Sequence, residues 1–231
     1  MFVDRLNGAM RRVPVWPVYV VGALPPGILL YMGATGALGV EPIKALEHEL
    51  GELALKMLLL GLAVTPVRRF LGVNLMRFRR AIGLITFYYV LCHLMVWLVL
   101  DVQIVGQIWA DIVKRPYITV GMAAFVLMVP LAVTSNDWSV RRLGPTWRTL
   151  HKAVYGIAIL GGLHFLMLTK GFQVEPLAYM AVILALLALR VAPRRRKATT
   201  GREISDGKTV DSQEPGESER RVGRNRGGRL V

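Results

Sequence analysis

Between Ala81 and Leu100 the chain runs for twenty residues without a charge, AIGLITFYYVLCHLMVWLVL. As a helix rising about 1.5 Å per residue, such a run is about 30 Å long, the thickness of a bilayer's hydrocarbon core. In lipid every backbone polar group must be paired within its own segment, so this stretch can fold only as a transmembrane helix with others around it. Dividing the rest of the chain at its charges gives five more spans: Val13 to Val40, Ile43 to Val67, Tyr117 to Ser135, Thr149 to Thr169 and Leu177 to Ala192. With 54% hydrophobic residues and a mean hydropathy of +0.45, the chain is too apolar for a soluble domain. The expected fold is an all-α integral membrane protein, a six-helix transmembrane bundle.

The charge lies between the spans. Arg5, Arg11 and Arg12 precede the first; Arg68, Arg69, Arg77, Arg79 and Arg80 fill the connection between the second and third. Arg141, Arg142 and Arg148 lie between the fourth and fifth, and Arg194, Arg195, Arg196 and Lys197 follow the sixth. The alternate connections hold only Lys44, then Lys114 and Arg115, then Lys170. By the positive-inside rule both termini are cytoplasmic, N-in and C-in. The formal charge of +14 therefore reads as membrane topology and not as a nucleic-acid surface.

Three segments result: a cytoplasmic N-terminus at 1–12, a transmembrane domain at 13–192 and a basic tail at 193–231. The tail has almost no large apolar residues and is expected to be disordered and cytoplasmic. It is too short for a dinucleotide-binding domain. The first apolar run is long and holds Pro25 and Pro26, so it reads as the first helix rather than a cleaved signal. A single cysteine, Cys92, excludes an internal disulfide or a thiolate metal cluster within one chain.

All four histidines, His48, His93, His151 and His164, fall inside predicted spans. A neutral imidazole in hydrocarbon still needs partners for its ring nitrogens. Topology places His48, His93 and His164 in the outer half of the membrane and His151 near the cytoplasmic end. His151 and His164 are thirteen residues apart, which on one continuous helix is a rise of roughly 20 Å and a turn of roughly 140°. Gly156, Gly161 and Gly162 offer either room for distortion or close helix contact. At helical spacing His48 also shares a face of the second span with Glu52 and Lys56, and that face must avoid lipid.

Several chemistries use intramembrane histidines. Proton relays usually add Asp or Glu at membrane depth, and spans three to five contain none. Zinc held by histidines alone in a dry core would leave its charge unbalanced. Haem is large, mostly apolar and accepts two imidazoles as axial ligands, and so suits the set better. Packing histidines bound to backbone carbonyls are the plain alternative.

Three stretches, RPYITVG (Arg115 to Gly121), TSNDWSVRRLG (Thr134 to Gly144) and WRTLHKAVY (Trp147 to Tyr155), are followed by the second histidine at His164. Together with EPIKALEH to TPVRRF around span two and RRAIGLITFYYVLCH in span three, they resemble the MsrQ (YedZ) family. These are haem-binding membrane subunits of periplasmic methionine sulfoxide reductase systems, within the wider ferric-reductase-like superfamily. The resemblance covers about residues 14 to 192.

It implies a b-type cytochrome of the bacterial inner membrane, taking electrons from membrane quinol. It passes them to a periplasmic molybdopterin-containing reductase that repairs oxidised methionines, and has no catalytic site of its own for the sulfoxide. The resemblance also implies FMN, for which the residues show no site. Carried over by position, His93, His151 and His164 match iron ligands of one or two haems, and His48 matches a further histidine of open role. On depth, the outer haem takes His93 and His164. For His151, either an inner haem has a non-histidine or water ligand, or only one haem binds, or the helices are shifted. Two other readings stand beside this one: a ferric or cupric reductase-type electron carrier, and a haem-free transporter or assembly subunit.

Overall fold

The computed structural model describes residues 2–168 and 173–191. The described residues form ten α-helices with no strand among them: α1 (Phe2–Arg12), α2 (Trp16–Ala34), α3 (Pro42–Phe70), α4 (Arg79–Val96), α5 (Val105–Lys114), α6 (Pro116–Val133), α7 (Asp137–Leu143), α8 (Pro145–Leu150), α9 (Ala153–Leu168) and α10 (Val174–Val191). A 3-10 turn (Met76–Phe78) leads into α4, and a π-helical turn (Trp97–Val102) ends it. The expected tail at 193–231 and Lys170 lie outside the described residues.

Five segments among the described residues are long and apolar enough to cross a membrane: Trp16–Ala34, Pro42–Phe70, Met76–Val102, Pro116–Val133 and Pro145–Leu168. Their outward faces carry large apolar side chains, among them Val21, Leu24, Val126 and Ile159. That is the surface a lipid-embedded bundle presents. Helix α10 packs on α3 and α9 in the place expected of the sixth span.

Neighbouring helices approach closely where a small residue permits it. A Cβ on Gly22 of α2 would stand 2.5 Å from Ile85 Cδ1 of α4, and one on Gly162 of α9 would stand 2.7 Å from Ile183 Cδ1 of α10. Gly162 thus serves helix contact. The central cluster joins Leu55, Leu58 and Leu62 of α3 to Met128, Ile157, Ala158 and Ile183, from α6, α9 and α10.

The bundle has two unlike ends. At one, α3, α6 and α10 begin while α4 and α9 finish; the other is rich in arginine. There Pro66 of α3 has no N–H to offer the carbonyl of Leu62 one turn back. Arg190 of α10 supplies donors instead: Nε and Nη2 reach Leu62 O at 3.1 and 2.7 Å, and Nη2 reaches Gly61 O at 3.2 Å. Its guanidinium also lies over the ring of Tyr155, 5.4 Å from the centre. The N-terminal segment is a docked helix rather than a loose strand of chain. The Asn7 side chain bonds Gly72 O and Asn74 N, and Arg77 donates to the last carbonyls of α1, Met10 O and Arg11 O.

The fifth span differs from the expected continuous helix. It breaks at His151 and Lys152, between α8 and α9. The His151 side chain and backbone both donate to Trp147 O, at 3.1 and 3.0 Å, and Tyr155 N then bonds Lys152 O in a tighter turn. His151 and His164 are therefore not on one helix, and the rise and rotation expected for a continuous one do not apply.

Candidate functional site

The site lies at the end where α3 begins. Here α3, α4, α6 and α9 enclose a cavity of about 470 Å³, within the roughly 300–1,000 Å³ usual for cofactor pockets. Most of its wall is apolar, including Leu55, Leu58, Val90, Phe125, Met128 and Ile157. Its charged lining is Lys44, Glu47, Glu52, Asp101 and Arg115, all but Glu52 near the ends of their helices. Three of the four histidines, His48, His93 and His164, line it; His151 does not.

Two of these rings are held by one device used twice. His93 Nδ1–H of α4 donates to Glu47 O of α3 at 2.8 Å, and His164 Nδ1–H of α9 donates to Tyr117 O of α6 at 2.7 Å. Four residues beyond each accepting carbonyl stands a glycine, Gly51 after Glu47 and Gly121 after Tyr117. A Cβ on Gly51 would meet the His93 ring at 3.4 Å, and one on Gly121 would lie 2.8 Å from His164 Nδ1. The glycines let each ring lie against the opposite helix and reach its backbone. Because a carbonyl can only accept, the proton sits on Nδ1 and Nε2 keeps the lone pair.

The pair fits a metal-centred planar group. The ring centres of His93 and His164 are 6.4 Å apart, with planes at 79°. Metal–imidazole bonds of about 2 Å on opposite sides of one ion place two ring centres roughly 6 to 6.5 Å apart. Among the described residues no three His, Cys, Asp or Glu side chains converge as a bare metal ion would require. A macrocycle that brings its own nitrogens would need only two donors from the chain, and the Nε2 lone pairs of His93 and His164 would suit it. Glu47 Oε1 adds a buried oxygen with no hydrogen-bond partner among the described residues, in the wall of the same cavity.

His48 reaches the cavity from α3 and packs edge-on against Phe165, with ring centres 5.9 Å apart. The remaining histidine sits at the arginine-rich end, stacked on Trp147 at 3.9 Å, with Nδ1 on Trp147 O and Nε2 3.5 Å from Ser135 Oγ. Trp147 itself donates to Thr134 O at 2.9 Å, and Asn136 caps α7 by accepting from Ser139 N. The stretch from Thr134 to His151 thus closes this end of the bundle.

The family described as ferric reductase like transmembrane component matches residues 50–162. A protein of Agrobacterium fabrum named protein-methionine-sulfoxide reductase heme-binding subunit MsrQ is 51% identical over 178 residues, 77% of this chain and 83% of its own length. Proteins of the same name from Brucella ovis and Brucella canis are each 49% identical over 180 residues, covering 77% of this chain and 81% of their own. The chain belongs to the MsrQ family. No solved structure matches it.

The structure also shows features that the sequence did not signal. Gly51, Gly121 and the orphaned oxygen of Glu47 had no signal in the sequence, since a glycine's purpose shows only once the ring opposite it is known. Of the glycines singled out in α9, Gly161 lines the cavity, Gly162 packs on α10, and a Cβ on Gly156 would meet nothing within 4 Å.

Proposed function

We propose that the chain is a b-type cytochrome subunit that carries electrons from membrane quinol to a periplasmic methionine sulfoxide reductase containing molybdopterin. His93 and His164 are the axial ligands of one haem. The observation that carries this reading is the pair of imidazoles facing one cavity 6.4 Å apart, each with Nδ1 tied to a backbone carbonyl of the neighbouring helix. The printed name of the similar MsrQ proteins, a heme-binding subunit of protein-methionine-sulfoxide reductase, supports the same assignment.

When bound, haem supplies a one-electron couple at iron. The chain's own part is to hold and insulate it. The carbonyls of Glu47 and Tyr117 fix the tautomer and orientation of both rings, as partners behind a metal-bound histidine do. With an imidazole on each face no open position remains for oxygen, which favours transfer over activation. The apolar wall keeps water out, and Lys44 and Arg115 are suited to the group's carboxylates. In this reading His151 is a helix-joining residue rather than a ligand, and FMN has no assigned place.

The bundle sits in the bacterial inner membrane with six spans, α10 being the sixth. The arginine-rich end faces the cytoplasm with both termini, by the charge asymmetry of the loops. The cavity then opens toward the periplasm, where the reductase docks.

The test is a reduced-minus-oxidised absorbance spectrum of the purified protein, with haem quantified per polypeptide. Sharp bands of a six-coordinate b-type haem at one per chain are expected. A second equivalent of haem would return His151 to the ligand set. A colourless protein after expression with ample haem would make the histidines packing groups and favour a haem-free transporter or assembly subunit. Reoxidation by ferric chelates as fast as by the reductase would instead favour a metal reductase.

A further inference from the structure

The stripe of ionisable residues on α3 has a use that haem binding does not absorb. His48, Glu52 and Lys56 follow at i, i+4 and i+8 and share one face. Lys56 is the central residue of the 29-residue helix, so its charge lies deep in the span, yet half of its side chain is exposed. Its Nζ lies 2.7 Å from Glu52 Oε1, and the Tyr179 hydroxyl of α10 donates to the same oxygen at 2.8 Å. Phe165 of α9 packs edge-on against both Tyr179 and His48, with ring centres 5.6 and 5.9 Å away.

Two features separate this cluster from a simple tie between helices. A tie at this depth is made more cheaply by apolar packing, and ionisable groups in a span mark sites by default. More directly, Glu52 is only 14% exposed and lines the haem cavity, and no hydrogen bond within the described residues reaches its second oxygen, Oε2. The cluster therefore connects the lipid face, through Lys56 and Tyr179, with the cavity wall, through Glu52 and His48. A ligand that suits it arrives from the bilayer, has a flat ring for Phe165, offers a hydroxyl to Glu52 and accepts from the Lys56 ammonium.

We propose that His48, Glu52, Lys56, Phe165 and Tyr179 form the binding site for the head group of the quinol donor, entered from lipid between α3 and α10. The inference rests on the quinol reading of the donor given above. Conversion of a hydroquinone to a quinone breaks two O–H bonds and releases two electrons and two protons. The two electrons would leave one at a time through the haem that His93 and His164 would hold, the first passed on to the reductase before the second follows. The protons pass in turn to the Glu52 carboxylate, which the hydroxyl faces, and from it to water.

Two measurements on the haem-loaded, full-length protein test this. In the first, a short-tailed azido-quinone is photolysed with the protein in lipid nanodiscs and the labelled peptides are mapped. Label is expected on α3 near Lys56 or on α10 near Tyr179, and competition by unmodified quinone should remove it. Competed label confined to other helices would overturn the site. In the second, duroquinol reduces the haem in stopped flow.

Glu52→Gln and Lys56→Met are expected to slow that reduction at least tenfold, and Tyr179→Phe severalfold. Rates are taken per haem bound, reduction by dithionite of the haem each variant holds should stay at the wild-type level, and Glu49→Gln should match the wild type in every assay. Wild-type rates of quinol reduction in all three site variants would leave the cluster a structural tie. If the first two variants fail to accumulate, Tyr179→Phe and the labelling map still decide. A wild-type protein reduced by dithionite but never by quinol would remove the quinol reading itself, and this site with it.

Discussion

The two ends of the bundle treat their polar groups in opposite ways. At the arginine-rich end several close gaps in the backbone: Arg190 serves the carbonyl that Pro66 leaves open, Asn136 caps α7, and Trp147 ties Thr134 to α8. Around the cavity the groups are held but left incomplete. His93 and His164 each use Nδ1 and keep Nε2, and Glu47 keeps a buried oxygen without a partner among the described residues. The difference teaches where to look for chemistry in a membrane bundle. Satisfied polar groups build the frame, and oriented but unsatisfied ones mark the site.

The sharpest way to break that contrast is to truncate histidines at both ends. His93→Ala and His164→Ala are expected to lose most bound haem, measured per polypeptide by pyridine haemochrome, whereas His48→Ala and His151→Ala retain it. Loss of haem in the His151 variant would show that the closed end also holds a cofactor.

A subtler change sharpens the comparison within the cavity. Gly121→Ala puts a methyl 2.8 Å from the His164 ring and should weaken haem affinity by about tenfold, the low end for disturbing a ligand's outer partner. Gly51→Ala, whose methyl would stand 3.4 Å from the His93 ring, should do less. Equal effects in a haem-transfer assay to an apoprotein acceptor would mean that ring placement does not depend on these contacts.

At the other end, Arg190→Met strips the donors from Leu62 O and Gly61 O. It should lower stability by about 1–3 kcal/mol, the usual penalty for buried unpaired polar groups, without altering the haem spectrum. Thermal unfolding followed at the haem band reads both.

The smallest effect belongs to Asp137, exposed in the first turn of α7, which pairs with Arg80 at 2.7 Å. The hydrogen bond and charge of Arg80 hold its carboxyl below the ordinary range. The stabilisation is present above a pH of about 4 and is lost as pH falls through the depressed value. The pair is solvent-exposed, so Asp137→Asn should barely move the melting temperature at neutral pH.

Much of this was legible in the sequence because lipid enforces simple rules. Apolar runs located the long helices, although the run from Val13 to Val40 overshot the end of α2 at Ala34, and counting residues in from each loop put His48, His93 and His164 in the same half of the bundle. The short helices α5, α7 and α8 escaped notice, since their signals are caps and turns rather than long apolar runs. The break at His151 was hidden for the same reason: a side chain sharing a carbonyl with its own backbone leaves no periodic trace. Pairing of α4 with α3 and of α9 with α6 is a tertiary fact, so the carbonyls that hold the two rings could not be read from the chain alone.

Those carbonyls have a further consequence, in terms of inheritance. An orienting partner supplied by a side chain can be deleted by one nucleotide change, but a backbone oxygen is present whatever residue the codon specifies. Mutation can reach the posture of His93 and His164 only indirectly, through Gly51 and Gly121 or through the packing of whole helices. The arrangement concentrates the vulnerability of the site in two small codons and leaves its other outer partners free to drift.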